Sequence, residues 1–236
     1  MKTKIAIVFV ALAAVWLGLS YHIRLQNEKG ESLVADAYYG DLLAVKNGLE
    51  QGAPLRYVLY FQDEERDYGG AEFNALHAAA SGGNEDVINF LLDQGLDINS
   101  PTPQGWTPLF IAARDGRAEA AKLLVYRQAD LNAQTDRGAT ALMMAVTQKF
   151  PSEKEREDLL VYMLKRGADV NLQDASGNPP LYYAAVQKNP KIVELLLEYG
   201  AAPDQATKEK ILKLVSPRSD KGSKKIAALL KKKAAK

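Results

Sequence analysis

Apolar positions along this chain fall into paired blocks that repeat. The first block of each pair is short: Asn74-Ala-Leu-His-Ala-Ala-Ala80, Thr107-Pro-Leu-Phe-Ile-Ala-Ala113, Thr140-Ala-Leu-Met-Met-Ala-Val146 and Pro179-Pro-Leu-Tyr-Tyr-Ala-Ala185. Their leucines, Leu76, Leu109, Leu142 and Leu181, lie 33, 33 and 39 residues apart. A second block follows each: Val87-Ile-Asn-Phe-Leu-Leu92, Ala120-Ala-Lys-Leu-Leu-Val125, Leu159-Leu-Val-Tyr-Met-Leu164 and Ile192-Val-Glu-Leu-Leu-Leu197. The apolar spacing predicts helices, because a half-buried strand would alternate every second residue. A fainter unit precedes the four, with Leu33 to Tyr39 as its first helix, Leu42 to Leu49 as its second and Gly52-Ala-Pro54 as its turn.

Local chemistry agrees with this reading. Thr107 and Thr140 supply side-chain oxygens that cap the first helix, and Pro108 fits the first turn, where a missing N–H costs nothing. Pairs of small residues such as Ala112 and Ala113 allow close helix packing, and Gly95, Gly167 and Gly200 permit a left-handed residue after the second helix. One such unit cannot bury its own apolar faces, so neighbours must stack. Two positions depart from the pattern. Gln128 stands where the other units have glycine, an expected strain of about 1 kcal/mol. Asn74-Ala75 and Pro179-Pro180 replace Thr-Pro, which makes those helix starts less standard.

The turns Gly95-Leu-Asp-Ile-Asn99, Gln128-Ala-Asp-Leu-Asn132, Gly167-Ala-Asp-Val-Asn171 and Gly200-Ala-Ala-Pro-Asp204 complete a set of landmarks. In this set the chain resembles the ankyrin repeat family over residues 31–204. The resemblance implies an all-α solenoid of paired antiparallel helices with hairpin fingers, about five units near 31–56, 71–103, 104–136, 137–174 and 175–204, plus a basic helical cap over 205–236. It also implies a concave protein-binding surface formed by finger tips and the exposed side of the first helices. Carried onto this chain, that surface comprises Phe73, Ser81, Pro103, Gln104, Trp106, Arg114, Asp115, Asp136, Arg137, Ala139, Thr147, Gln148, Ala175, Ser176, Asn178 and Gln187. Trp106 and Arg114 are the expected anchors, because exposed tryptophan and arginine carry disproportionate binding energy. His77 matches the family position that ties adjacent loops by hydrogen bonds.

Three segments exceed the regular pattern. Between Gly52 and Asn74 the chain is about ten residues longer than in the regular copies, and Tyr57, Tyr60, Phe61, Tyr68 and Phe73 are interleaved there with acidic Asp63, Glu64, Glu65 and Asp67. This stretch reads as an aromatic finger suited to a protein partner or as a hairpin packed on the first unit. Six extra residues near Gln148 to Glu157 read as a loop, Phe150-Pro151-Ser152, with a new helix cap followed by a charged first turn. From Asp204 onward the local charge is +8, and Ile226, Leu229 and Leu230 fall on one helical stripe. That describes a capping helix pair with a polar outer face, whose lysines are also suited to anionic lipid or an acidic partner.

At the amino terminus, Lys2 and Lys4 precede an uncharged, mostly apolar run from Ile5 to Leu19, the layout of an export signal or a short membrane anchor over residues 1–26. The expected location is the periplasm, either tethered to the inner membrane by residues 5–21 or free after cleavage. The net charge of +1 gives no global pull toward nucleic acid, which is not an expected partner. Without cysteine there is no disulfide or thiolate chemistry. The two histidines, His22 and His77, are too few for a histidine metal site, and no nucleophile elbow, phosphate loop or calcium loop is present. No catalytic residue, metal or cofactor is therefore expected. The expected function is capture of a partner protein, as an immunity protein neutralising a delivered toxin, or alternatively as an envelope scaffold supporting stress or oxidant defence or a membrane-tethered spacer.

Overall fold

The computed structural model describes residues 26–61, 71–215 and 220–233. The apolar N-terminal run and Tyr68 lie outside them. Helix α1 (residues 26–39) and α2 (Leu42–Glu50) form the first unit. A two-stranded antiparallel hairpin follows, β1 (Leu59–Phe61) and β2 (Ala71–Phe73), with Leu59 opposite Phe73 and Phe61 opposite Ala71. The helix pairs are then α3 (Ala75–Gly82) with α4 (Glu85–Asp93), α5 (Pro108–Arg114) with α6 (Ala118–Tyr126), α7 (Ala141–Thr147) with α8 (Glu153–Lys165), and α9 (Pro180–Val186) with α10 (Pro190–Glu198). The chain closes with α11 (Gln205–Val215) and α12 (Lys221–Lys233).

The short first helices of each pair stack in one row, α3 on α5 on α7 on α9 on α11, and the longer second helices α2, α4, α6 and α8 form another. One apolar core runs between the rows from Leu33 to Leu230 and takes in Leu76, Leu109, Leu142 and Leu181. At the C-terminal end α12 lies against α10 and α11, seating Ile226 and Leu230 in that core. The fold is an all-α ankyrin-type solenoid with hairpin fingers.

Capping follows the sequence. Thr107 accepts a hydrogen bond from Phe110 N–H and Thr140 one from Met143 N–H. Asn74 proves a full capping residue: its side chain accepts from His77 N–H at 3.0 Å, while the Asn74 N–H donates to His77 Nδ1 at 3.2 Å. Ser152 caps α8, which runs 13 residues where α4, α6 and α10 run 9, so four of the six extra residues lengthen an outer helix. Helix α1 begins well before the expected Leu33, because the first unit has no Thr-Pro landmark to mark its start.

The turns between units form a ladder. Asn99 Oδ1 accepts from Asp130 N–H, Asn132 Oδ1 from Asp169 N–H and Asn171 Oδ1 from Ala202 N–H, each at 2.8 Å. Within each turn Asp97, Asp130 or Asp169 accepts from the asparagine's own N–H and fixes its orientation. Gly95, Gly167 and Gly200 adopt φ of 87°, 100° and 95°, and Gln128 adopts 71° in the same place. A Cβ at any of the three glycines meets nothing within 4 Å, so left-handed backbone strain alone separates them from Gln128. Gln128→Gly is therefore expected to raise stability by about 0.5–1 kcal/mol, read as a higher urea midpoint at unchanged slope.

Candidate functional site

The inner helices α3, α5, α7 and α9 and the finger tips between units present one continuous face. The fingers are tight turns, closed by Thr102 N–H to Trp106 O, Thr135 N–H to Ala139 O and Asp174 N–H to Asn178 O. They are strung together by Asp136 N–H donating to Gln104 O at 3.1 Å and Ala175 N–H donating to Arg137 O at 2.9 Å. Pro103, Asp136, Arg137, Ala175 and Ser176 are exposed at these tips, whereas Gln104, Ala139 and Asn178 are half-buried.

Along the helices the expected surface residues form linked pairs. Ser81 on α3 is buried and donates to Asp115 Oδ2 at 2.6 Å. Asp115 in turn pairs with Arg114 at 3.1 Å, with side-chain exposures of 12% and 15%. The Arg114 guanidinium lies 4.7 Å from the centroid of the Trp106 ring, and that ring stacks on Phe110 at 6.0 Å. Thr147 and Gln148 are half-buried, and exposed Gln187 on the next unit reaches back to donate to Thr147 O at 2.5 Å. The same device ties earlier units, with Asn84 donating to Tyr38 O at 2.7 Å and Arg117 to Ser81 O at 2.8 Å. In this way the last carbonyls of one inner helix are satisfied by the next unit.

Several positions differ from the surface role expected of them. Trp106 and Arg114 are not free-standing anchors: Trp106 is half-buried over a small cluster of Phe73 and Ile111, with Arg114 laid across it. Phe73 is only 5% exposed and belongs to that cluster, because β2 turns its last residue inward onto α5. Tyr57 is half-buried against the first unit, its ring seated on Gly30, where an added Cβ would lie 2.2 Å away. Burial, then the Glu31 carboxylate beside it, pushes the Tyr57 hydroxyl above its ordinary range. Tyr60 and Phe61 lie on β1.

Sequence reading passed over several exposed apolar side chains, among them Val186, Tyr39 and Leu43. Val186 is 41% exposed and sits in the register of Arg114 and Thr147 on its helix, a signal available from alignment of the units. Tyr39 and Leu43, 81% and 68% exposed, lie on the fainter first unit, where the pattern gave no register to assign them. On the fourth full unit Tyr183 donates to Asp174, and burial together with that carboxylate pushes its hydroxyl up to about 12.

His77 is tied into the stack rather than presented to solvent. It is 2% exposed, and besides accepting from Asn74 N–H it donates from Nε2 to Ser100 O at 2.8 Å. Burial pushes it down to about 4, so it is neutral at pH 7. Among the described residues no group of three or more His, Asp or Glu is placed to hold a metal ion.

A family model described as ankyrin repeats, three copies, matches residues 35–135 and again 127–207. The chain belongs to the ankyrin repeat family. Ankyrin repeat proteins of two viruses are also similar: one of Acanthamoeba polyphaga mimivirus is 42% identical over 48 residues, and one of Fowlpox virus is 45% identical over 49 residues. Each match spans 20% of this chain, and it spans 12% and 7% of those proteins, so the likeness is that of one or two repeats. The ankyrin array is a protein–protein interaction module, and ankyrin repeat proteins are in general non-enzymatic binders.

Proposed function

We propose that this ankyrin array holds a folded partner protein across its inner-helix face and finger tips, outside the cytoplasm, as an immunity protein against a delivered toxin. The observation that carries the reading is a pair of hydrogen-bonded segments, Ser81 with Asp115 and Arg114, and Thr147 with Gln187, flanked by the exposed tips Pro103, Asp136, Arg137 and Ser176. Such a surface is already ordered by its own hydrogen bonds, so little side-chain entropy is lost when a partner lands. The Lys2 and Lys4 start before the apolar run from Ile5 to Leu19 supports the location, with tether and cleaved signal as the two forms of export. A toxin inhibitor benefits from preorganisation, and a scaffold for envelope enzymes uses the same face with weaker, exchangeable contacts.

Partner capture from the source cell by the full chain tests this. Arg137→Glu with Gln187→Arg changes the face at two exposed positions outside the core, and a double loss on the order of thirtyfold in affinity is expected at roughly 2 kcal/mol. Undiminished capture by a folded double variant rules the face out. Capture of an envelope enzyme in place of a toxin replaces immunity with the scaffold reading, and fractionation with cytoplasmic markers removes the proposed compartment.

A further inference from the structure

The terminal helix α12 divides sharply into two sides. Ser223, Ile226 and Leu230 are buried at 1%, 0% and 3% exposure and face α10 and α11. Lys221, Lys224, Lys225 and Lys231 are exposed, and at 3.6 residues per turn they occupy the arc opposite the buried three. Lys225 pairs with Glu194 on α10 at 2.9 Å. Lys221, Lys224 and Lys231 make no ion pair among the described residues. The outer face is thus a lysine ridge roughly 15 Å long at about 1.5 Å per residue, with its apolar side already committed to the core.

The ridge sits on a polarised molecule. Residues 204–236 contain eleven Lys or Arg and three Asp or Glu, a charge of +8, and with +1 for the whole chain the remainder carries −7. We infer that the outer face of α12 is a docking surface for anionic lipid headgroups, holding the stack end-on with its partner-binding face free. The inference does not depend on what that other face holds.

Charge and residue choice both select lipid. A protein interface is depleted in lysine and favours arginine and aromatic anchors, and the described exposed arc of α12 carries neither. A plane of headgroups asks for no pocket and no geometric register, only several cations at one surface, which hydrated ammonium groups on flexible stems supply. Meanwhile the acidic remainder is repelled by the same surface, which fixes the end-on orientation. The apolar stripe is occupied, so the helix does not insert and binding is purely electrostatic.

The test is sedimentation of the full chain with vesicles of phosphatidylcholine alone and of phosphatidylcholine mixed with phosphatidylglycerol. Three proteins are compared: the natural chain, a ridge variant carrying Lys221→Gln, Lys224→Gln and Lys231→Gln, and a control carrying Lys149→Gln, Lys154→Gln and Lys165→Gln at exposed positions around α8. All share the N-terminal apolar run and the two variants have equal net charge, so general attraction cancels between them. Each lysine near an anionic surface contributes roughly fivefold, so the ridge variant is expected to bind mixed vesicles on the order of a hundredfold more weakly. The control is expected to stay within about twofold of the natural chain, and the difference is expected to shrink as salt shortens the Debye length toward roughly 3 Å at 1 M. Matching circular dichroism and urea midpoints show that all three fold. Equal losses in both variants, or no loss in the ridge variant, overturn the inference. So does a ridge-dependent preference for polyglutamate or for a duplex oligonucleotide over the mixed vesicles, in favour of an acidic protein or a nucleic acid.

Discussion

Leu142→Ala is expected to cost about 2–5 kcal/mol and to divide the unfolding of the array into two transitions. Leu142 is 1% exposed on α7, the inner helix packed between α5 on one side and α9 on the other. Removing its branched end leaves a cavity at the middle of the stack, where the alanines on both sides of the helix leave little that can collapse into it: Ala141 and Ala145 are themselves 3% and 0% exposed. In a solenoid, stability is a sum of unit and nearest-neighbour contributions, so a defect at one end frays that end and a defect in the middle uncouples two halves. The unit boundary before α7 is already weakened by the left-handed Gln128. Equilibrium urea unfolding followed by circular dichroism is therefore expected to show one transition in the natural chain and two in the variant. A single transition shifted by less than about 1 kcal/mol contradicts the picture of a continuous core through Leu142. Gln128→Gly in the same background is expected to draw the two transitions together, because it strengthens the junction between the halves.

The helices and their order were legible because ankyrin units repeat the same solution to the same packing problem. A leucine 33 or 39 residues after the last, a capping oxygen before it at Asn74, Thr107 and Thr140, and a left-handed residue after the second helix are local features, and each is visible without neighbours. Even the exception obeyed: Gln128 takes the glycine conformation because the units on either side dictate the turn. The lengthened α8 was also legible, since Ser152 three residues before Glu155 is a capping signal in its own right.

Burial on the inner-helix face was less legible because it depends on residues from adjacent units. Trp106 reads as a fingertip aromatic from its position, yet Phe73 from one unit and Ile111 from its own create a cluster for it to cover. Ser81 reads as an exposed helix residue until Asp115, 34 positions later, takes its hydroxyl. Tyr57 reads as part of a finger until Gly30, in a unit without landmarks, offers a flat seat for its ring. In each case the deciding partner lies one unit away, where the period supplies a register but not the side chain's direction. Asp136, Arg137 and Ser176 are exposed because a turn tip has no neighbour to cover it.

Acidification is expected to remove about 3 kcal/mol through His77 alone, lost between pH 6.5 and about 4. The folded imidazole is held neutral because it is buried and already committed on both nitrogens: Nδ1 accepts from Asn74 N–H and Nε2–H donates to Ser100 O. A second proton on Nδ1 faces a donor, so protonation breaks the capping box of α3 in addition to charging a dry site. In the unfolded chain the same group titrates near 6.5, so below that pH the unfolded state takes up a proton that the folded state refuses, and the stability His77 supplies at pH 7 drains away. One proton gives a slope of at most about 1.4 kcal/mol per pH unit. The aspartates held low, Asp204 by Thr207 N–H and Asp220 by Ser223 N–H, release their contributions as the pH falls through and below the ordinary aspartate value of 3.8. Between pH 5 and 6.5 the effect therefore belongs to histidine. Urea midpoints measured across that interval are expected to fall steadily for the natural chain and to stay nearly flat for His77→Gln, which is less stable at pH 7 but has no proton to gain. The same slope in both proteins would show that His77 is not the group that titrates, and that the tie between Asn74, His77 and Ser100 does not set the acid limit of the stack.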